Sequence, residues 1–200
     1  MKLICYKYNN SYGCGYIGNN TVSSFFNGNL KSTNNFLINF ISGEVEKNVK
    51  NNINLNDIEL IAPIPLPNSF RDAYAFRQHV KSGRKNRGLE MIPEYDEFPV
   101  FYFSNHNSIT GPGIVNVYKE HLNQLDFELE VAIVIRKEGI NIKASNAHDY
   151  IFGYTIMNDW SARALQMKEM KLNLGPAKGK DFATSIGPHI TTSEELQKFI

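Results

Sequence analysis

Cysteine is nearly absent from this 200-residue chain. Only Cys5 and Cys14 occur, too few for a disulfide framework, and they point to a reduced compartment. No secretory leader is expected either, because "MKLICYKYNN" turns polar before an apolar core region can form. The expectation is a cytoplasmic protein, in which the N-x-[ST] matches at Asn9 and Asn19 carry no meaning. No apolar run approaches the ~18 residues of a membrane span, so no membrane partner is expected. Neither sign of charge dominates: 21 basic residues face 20 acidic ones, and the one dense basic block is "KSGRKNRG", Lys81 to Gly88. A dedicated nucleic-acid binder carries more, and none is expected here. No internal repeat is visible. The match of "GCGYIG", Gly13 to Gly18, to a dinucleotide fingerprint lacks the helix that must open behind the glycines, so a hairpin turn is expected there instead.

What is present is 42% hydrophobic residues, enough for the core of one ordinary domain, with the patterning of a mainly β chain with some α (α+β). Residues 1–61 read as a small N-terminal β domain. Its strands, "KLICYKY", "CGYIG" and "TVSSFF", are joined by Gly/Asn turns, and a mixed segment and an Asn-rich stretch follow them. In "APIPLPN", residues 62–68, proline falls at every second position, which makes a stiff connector. Residues 69–200 form the second region. Ser69 can cap a helix through "FRDAYAFRQHVKSG" that Gly83 closes, and a strand at "PVFYF" and the turn "TGPG" come next. Strands at "LDFELEVAIVI" and "YIFGYTIMND", a helix at "WSARALQMKEM", a Gly-rich loop into a strand, and a helix opening at "SEELQKFI" complete the reading.

The strand from Leu125 to Ile135 raises the functional question. Phe127, Leu129 and Val131 share one face and Glu128 and Glu130 the other, after which Ala132 to Ile135 are apolar on both faces, as in a strand covered on both sides. A half-exposed strand with a Glu face is one reading. The other is a rigid pair of oxygen ligands for a divalent cation, since buried carboxylates must be paired or bound to metal.

Asp159, taken alone, reads better as the N-cap of the following helix. With Arg163 and Gln166 at i+4 and i+7, however, one helical face would present a carboxylate, a guanidinium and an amide. Asp72 alone, three residues after Ser69, reads better as part of a capping box, and His79 alone as a surface or core histidine; seven residues apart, they would share a helix face and bring a carboxylate to a general base. Lys180 is either a solvated loop lysine or a stabiliser of negative charge on a substrate. Cys5, Cys14 and Ser161 lack a nucleophile's context.

The succession "FRDAYAFRQH", "DFELEVAIVI", "GYTIMNDWSARALQ" and "LGPAKGKDFATSIGP" closely resembles the fumarylacetoacetate hydrolase family, from about Pro67 onward. The resemblance implies a mixed β-sandwich roll preceded by a small β domain, commonly dimeric, and a place in aromatic amino acid catabolism. It implies Mg²⁺ or Ca²⁺, with Mn²⁺ possible, on Asp72, Glu128, Glu130 and Asp159. His79 would be the catalytic histidine, and Tyr74, Arg163, Gln166, Lys180 and Thr184 would contact a small dicarbonyl acid. The implied reaction is hydrolysis of a carbon–carbon bond. Acylpyruvate hydrolysis, oxaloacetate decarboxylation and hydration or isomerisation of 2-oxo acids occur on the same fold.

Three departures stand beside this. The family's core continues beyond the point where "SEELQKFI" stops, which implies a C-terminally truncated member and leaves a non-catalytic fragment as an alternative. A Lys-Pro pair of many members is here Ser104-Asn105-His106, and the glycine before the family's threonine is Ala183.

Overall fold

Asparagine turns start the fold in the computed structural model, which describes residues 1–199. Asn9 and Asn10 hold positive φ, 47° and 62°, the backbone that closes a two-residue hairpin between β1 (Lys2–Tyr8) and β2 (Ser11–Gly18). Asn19-Asn20 makes a second two-residue hairpin, from β2 to β3 (Thr21–Gly28), with positive φ at Asn20 alone, 58°. The expected turn at Gly13–Gly18 is therefore corrected: this segment lies inside β2. Gly15 is required there by close approach, since a Cβ would stand 2.3 Å from the carbonyl oxygen of Ser23 on β3.

The segment read only as mixed is a helix, α1 (Leu30–Ser42). Asn29 accepts a hydrogen bond from the Ser32 amide, and Gly43, at φ 88°, ends it. Its buried face includes Thr33 and Asn34 beside Leu37 and Ile41, so polar residues hid the apolar stripe. Asn34 both donates to and accepts from the backbone of Leu66, at 3.0 and 3.1 Å, and so fastens the Pro-rich connector to the helix.

After β4 (Asn51–Asn54) and β5 (Glu59–Ile61) come β6 (Arg71–Ala73), α2 (Arg77–Lys85), β7 (Phe101–Phe103), β8 (Ile109–Thr110) and β9 (Leu125–Asp126). The long strands β10 (Leu129–Ile135) and β11 (Ile151–Asp159) follow, then β12 (Ser161–Ala162), α3 (Arg163–Met170), α4 (Ala177–Lys180), β13 (Thr184–Ile186), β14 (Ile190–Thr192) and α5 (Ser193–Leu196). The main sheet has ten strands, in the order β4-β3-β2-β1-β14-β11-β13-β8, with β5 on β1 and β10 on β11. Strand β1 thus pairs with β14 near the far end of the chain, with Leu3 opposite Ile190. One apolar cluster joins Leu3, Cys5, Cys14, Phe25, Leu37 and Ile41 to Val134 and Ile190. A second cluster, Ile4, Tyr6, Val22 and Ile53, covers the opposite face of β1. Both cysteines are free and buried as packing residues.

Three local expectations are corrected. The helix expected from Phe70 begins only at Arg77. Ser69 does not cap it, and Gly83 lies within it, because residues 71–73 pair with β7 instead. The helix after Asp159 begins at Arg163, since Ser161 and Ala162 pair with Asp126 and Leu125. Finally, β10 is not covered on both sides. Leu129, Val131, Ile133 and Ile135 are 73, 66, 52 and 60% exposed, so alternation persists to the end of the strand and its outer apolar face has no layer above it among the described residues. The closing stretch does turn helical in α5 and a short 3-10 turn; Ile200 lies outside the described residues.

Candidate functional site

Three strands deliver three carboxylates to one place. In β6 the alternation turns Arg71 and Ala73 outward and Asp72 inward, opposite Tyr102 of β7. On β10 the same alternation sends Glu130 inward with Ala132 and Val134. Asp159 closes β11, fully buried, directly opposite Thr184 of β13. One oxygen from each of Asp72, Glu130 and Asp159 lies within 4.8 Å of the others. The Tyr102 hydroxyl stands 2.7 Å from Asp159 Oδ2 and 3.2 Å from Asp72 Oδ2.

Glu128, just before β10, faces two cations. Arg163 Nη1 lies 2.7 Å from its Oε1, and Lys180 Nζ donates to its Oε2. Lys180 also reaches Asp159 Oδ2 at 2.6 Å and is itself buried, which rules out the solvated-loop reading. Its helix is held from α3: Glu169 accepts from the amides of Lys178 and Gly179 at 2.8 and 2.7 Å. Gly179 permits the close approach, because a Cβ there would stand 2.7 Å from Gln166 Cβ. Arg163 also reaches Asp126 at 3.0 Å and Gln166 Oε1 at 3.2 Å.

The electrostatics record a shortage of positive charge. Burial, then the charge of Asp159, pushes the Asp72 carboxyl up to about 7. Burial, then Asp72, Asp159 and Glu128, pushes Glu130 up to about 8. Burial would raise Glu128 as well, but Lys180 and Arg163 hold it below its ordinary value. For Lys180, burial opposes the charge, and Asp159 and Glu128 more than restore it. Asp159 Oδ1 and Thr184 Oγ1 are buried with no hydrogen-bond partner. A divalent cation fits this oxygen set: it would satisfy the orphaned Oδ1 and offset the mutual repulsion, and hard oxygen donors suit Mg²⁺, Ca²⁺ or Mn²⁺.

Of the residues singled out in the sequence, the structure gathers Asp72, Glu128, Glu130, Asp159, Arg163, Gln166, Lys180 and Thr184. Asp159 is not a helix cap and shares no helix face with Arg163 and Gln166; it ends a strand, and Lys180 links it to Glu128, which Arg163 contacts. Asp72 shares no helix with His79. His79 lies exposed on α2, lining with Tyr74, Arg84, Tyr95 and Phe98 a cavity of about 250 Å³ that none of the four carboxylates touches. Tyr102, Glu169 and Asp126 were not singled out. Tyr102 is the one hydroxyl within "FYF", but only the register with Asp72 gives it meaning.

A family model for the fumarylacetoacetate hydrolase C-terminal region matches residues 68–199. The chain is 35% identical to an oxaloacetate tautomerase of Bacillus subtilis over 149 residues, 72% of this chain and 46% of that one. It is 34% identical to the fumarylacetoacetase of Arabidopsis thaliana over 165 residues, 72% of this chain and 39% of that one. It therefore spans less than half the length of these curated relatives. A solved fumarylacetoacetate hydrolase from Exiguobacterium antarcticum superposes with a TM-score of 0.69 at 24% identity, over 97% of this chain and 67% of that one. A 2-hydroxyhepta-2,4-diene-1,7-dioate isomerase from Mycobacterium marinum does so with a TM-score of 0.66 at 22% identity, over 96% and 66%. These two likenesses establish the mixed, mainly β fold.

Proposed function

Because this chain belongs to the fumarylacetoacetate hydrolase family, we propose that it binds a small dicarbonyl acid at a divalent cation and acts on it through an enolate-like species. The observation that carries the reading is the orphaned Asp159 Oδ1 inside a three-carboxylate cluster. Asp72, Glu130 and Asp159 would hold Mg²⁺ or Ca²⁺, with Glu128 adjoining. Once bound, the cation would serve as Lewis acid and template for paired substrate oxygens.

The chain's own residues supply the rest. Lys180 and Arg163 present fixed positive charge to oxygen that turns negative, and Gln166 orients the guanidinium. Thr184, with a free buried hydroxyl, can donate to a substrate oxygen. In the hydrolytic reading, His79 takes a proton from water, which attacks a carbonyl carbon of a diketo acid such as fumarylacetoacetate. The carbon–carbon bond breaks, the electron pair stays on the enolate carbon and is protonated there, and two carboxylic acids leave. His79 stands exposed on α2, which carries no buried residue and is tied by the Arg77–Asp96 pair, and the resemblance of "FRDAYAFRQH" to the family's motif is what assigns it this role.

A second reading, proton transfer within a 2-oxo acid, is favoured by the separation of His79 from the carboxylates: isomerisation needs no activated water. Acylpyruvate cleavage and oxaloacetate enol-to-keto conversion, each measured with Mg²⁺, divide the two. Glu130→Gln should abolish whichever activity the parent has. His79→Ala should abolish cleavage and spare tautomerisation, whereas cleavage at the parental rate in that variant would remove His79 from the mechanism. Cation binding without turnover of either substrate would leave the chain a cation-holding part of a larger unit. We further propose a homodimer in the cytoplasm as the working form.

A further inference from the structure

We infer that Lys180 is a built-in counter-ion that fixes the charge of this site, so that the site accepts one divalent cation and discriminates against more highly charged ones. The inference rests on the cation-site reading above and concerns a role for Lys180 separate from any contact with substrate.

With all four ionised, as a cation among them would require, the carboxylates Asp72, Glu128, Glu130 and Asp159 outnumber the two cations beside them, Arg163 and Lys180, by two charges. The two cations are not equivalent. Arg163 is partly open to solvent and shares its charge with Asp126, outside the cluster. Lys180 has a side chain only 4% exposed, and both its partners belong to the acidic group. Its ammonium bonds Asp159 Oδ2, on the same carboxyl whose Oδ1 is left open for a cation. The backbone that carries it is anchored, because Glu169 ties the Lys178 and Gly179 amides and Gly179 packs directly against Gln166. A fixed positive charge one carboxyl group away opposes any arriving cation, and opposes a trivalent one more than a divalent one.

The test is titration of the metal-stripped chain with Ca²⁺ and with Tb³⁺, each followed by calorimetry and by thermal unfolding, for the parent, Lys180→Met and Lys180→Arg. Lys180→Met should bind Ca²⁺ roughly tenfold tighter or more, a unit charge at this range in a partly screened site being worth at least that factor. Its gain for Tb³⁺ should be larger still, while Lys180→Arg keeps the parental ratio. A Lys180→Met chain that unfolds in chelator but regains a cooperative transition with Ca²⁺, shifted further than the parent's, also supports the inference. If the parent binds and Lys180→Met binds no tighter, or stays unfolded with saturating Ca²⁺, the counter-ion role is overturned and the cation site stands. A parent that binds neither ion removes both.

Discussion

Asp72 and Glu130 make the metal-free chain sensitive to pH in a definite direction. Both carboxyls are raised, to about 7 and about 8, so between about pH 4 and pH 8 the folded chain holds protons that the unfolded chain has already released. Their contribution to stability is therefore intact in acid and lost as pH climbs through that window. In EDTA the denaturation midpoint should fall from pH 5 to pH 8, and Asp72→Asn should flatten the slope; a midpoint that rises over this range in EDTA contradicts the assignment. Cys5 and Cys14 supply an independent check at the same scale. Burial raises both thiols, Cys14 to about 12, so the native chain should resist alkylation at pH 8 and both sites should react in denaturant. Prompt native labelling would mean that the β1–β2 core opens. Glu128 and Glu130 were legible from strand alternation, whereas Asp159 taken alone reads better as a helix cap and only the end of β11 shows it as a buried strand residue. Tyr102 was not legible, because its role depends on a partner thirty residues away across β6 and β7, and nothing local encodes that register.

Among the elements, the long β10 and β11 and the first three strands stood out in the sequence, whereas two of the three helix starts in the second region were misread for one reason. Residues 71–73 and 161–162 carry acceptable helical sequence, yet each is taken into a two-stranded pairing that only the tertiary fold provides. That detour builds the site, since it leaves Asp72 and Asp159 on strands facing inward. The short α4 is the complementary case: a loop in the sequence, it becomes a helix because Glu169 binds its first amides. Gly179→Ala should force α4 away from α3 by placing a methyl 2.7 Å from Gln166 Cβ, costing about 1–3 kcal/mol. Urea unfolding should register that loss, and unchanged stability would mean that the α3–α4 approach is looser than described. Asn34→Ala, by stripping the connector's two hydrogen bonds, should cost a similar ~1–3 kcal/mol.

At the level of the whole molecule, the outer face of β10 is the anomaly. Its aliphatic row adjoins the exposed Ile156 of β11, which pairs with Val131, and β10 is paired on one side only. Apolar sheet edges of this kind are covered in working assemblies. The sequence led to a strand covered on both faces, and the described residues supply only one layer. Val131→Lys with Ile133→Lys should leave the intrachain fold intact, while lowering hydrophobic-dye binding and self-association in sedimentation. Loss of the fold in that double variant would show the face to be packed within the chain. No helix among the described residues is long and apolar enough to cross a membrane.

The most direct test of the account is calorimetric titration of Ca²⁺ into the metal-stripped chain beside Glu130→Gln and Asp159→Asn. One cation per chain in the parent, with the heat abolished in both variants, is the predicted result. Binding that survives in the variants would place the cation elsewhere, and a parent that binds none would leave the three carboxylates as a buried structural cluster.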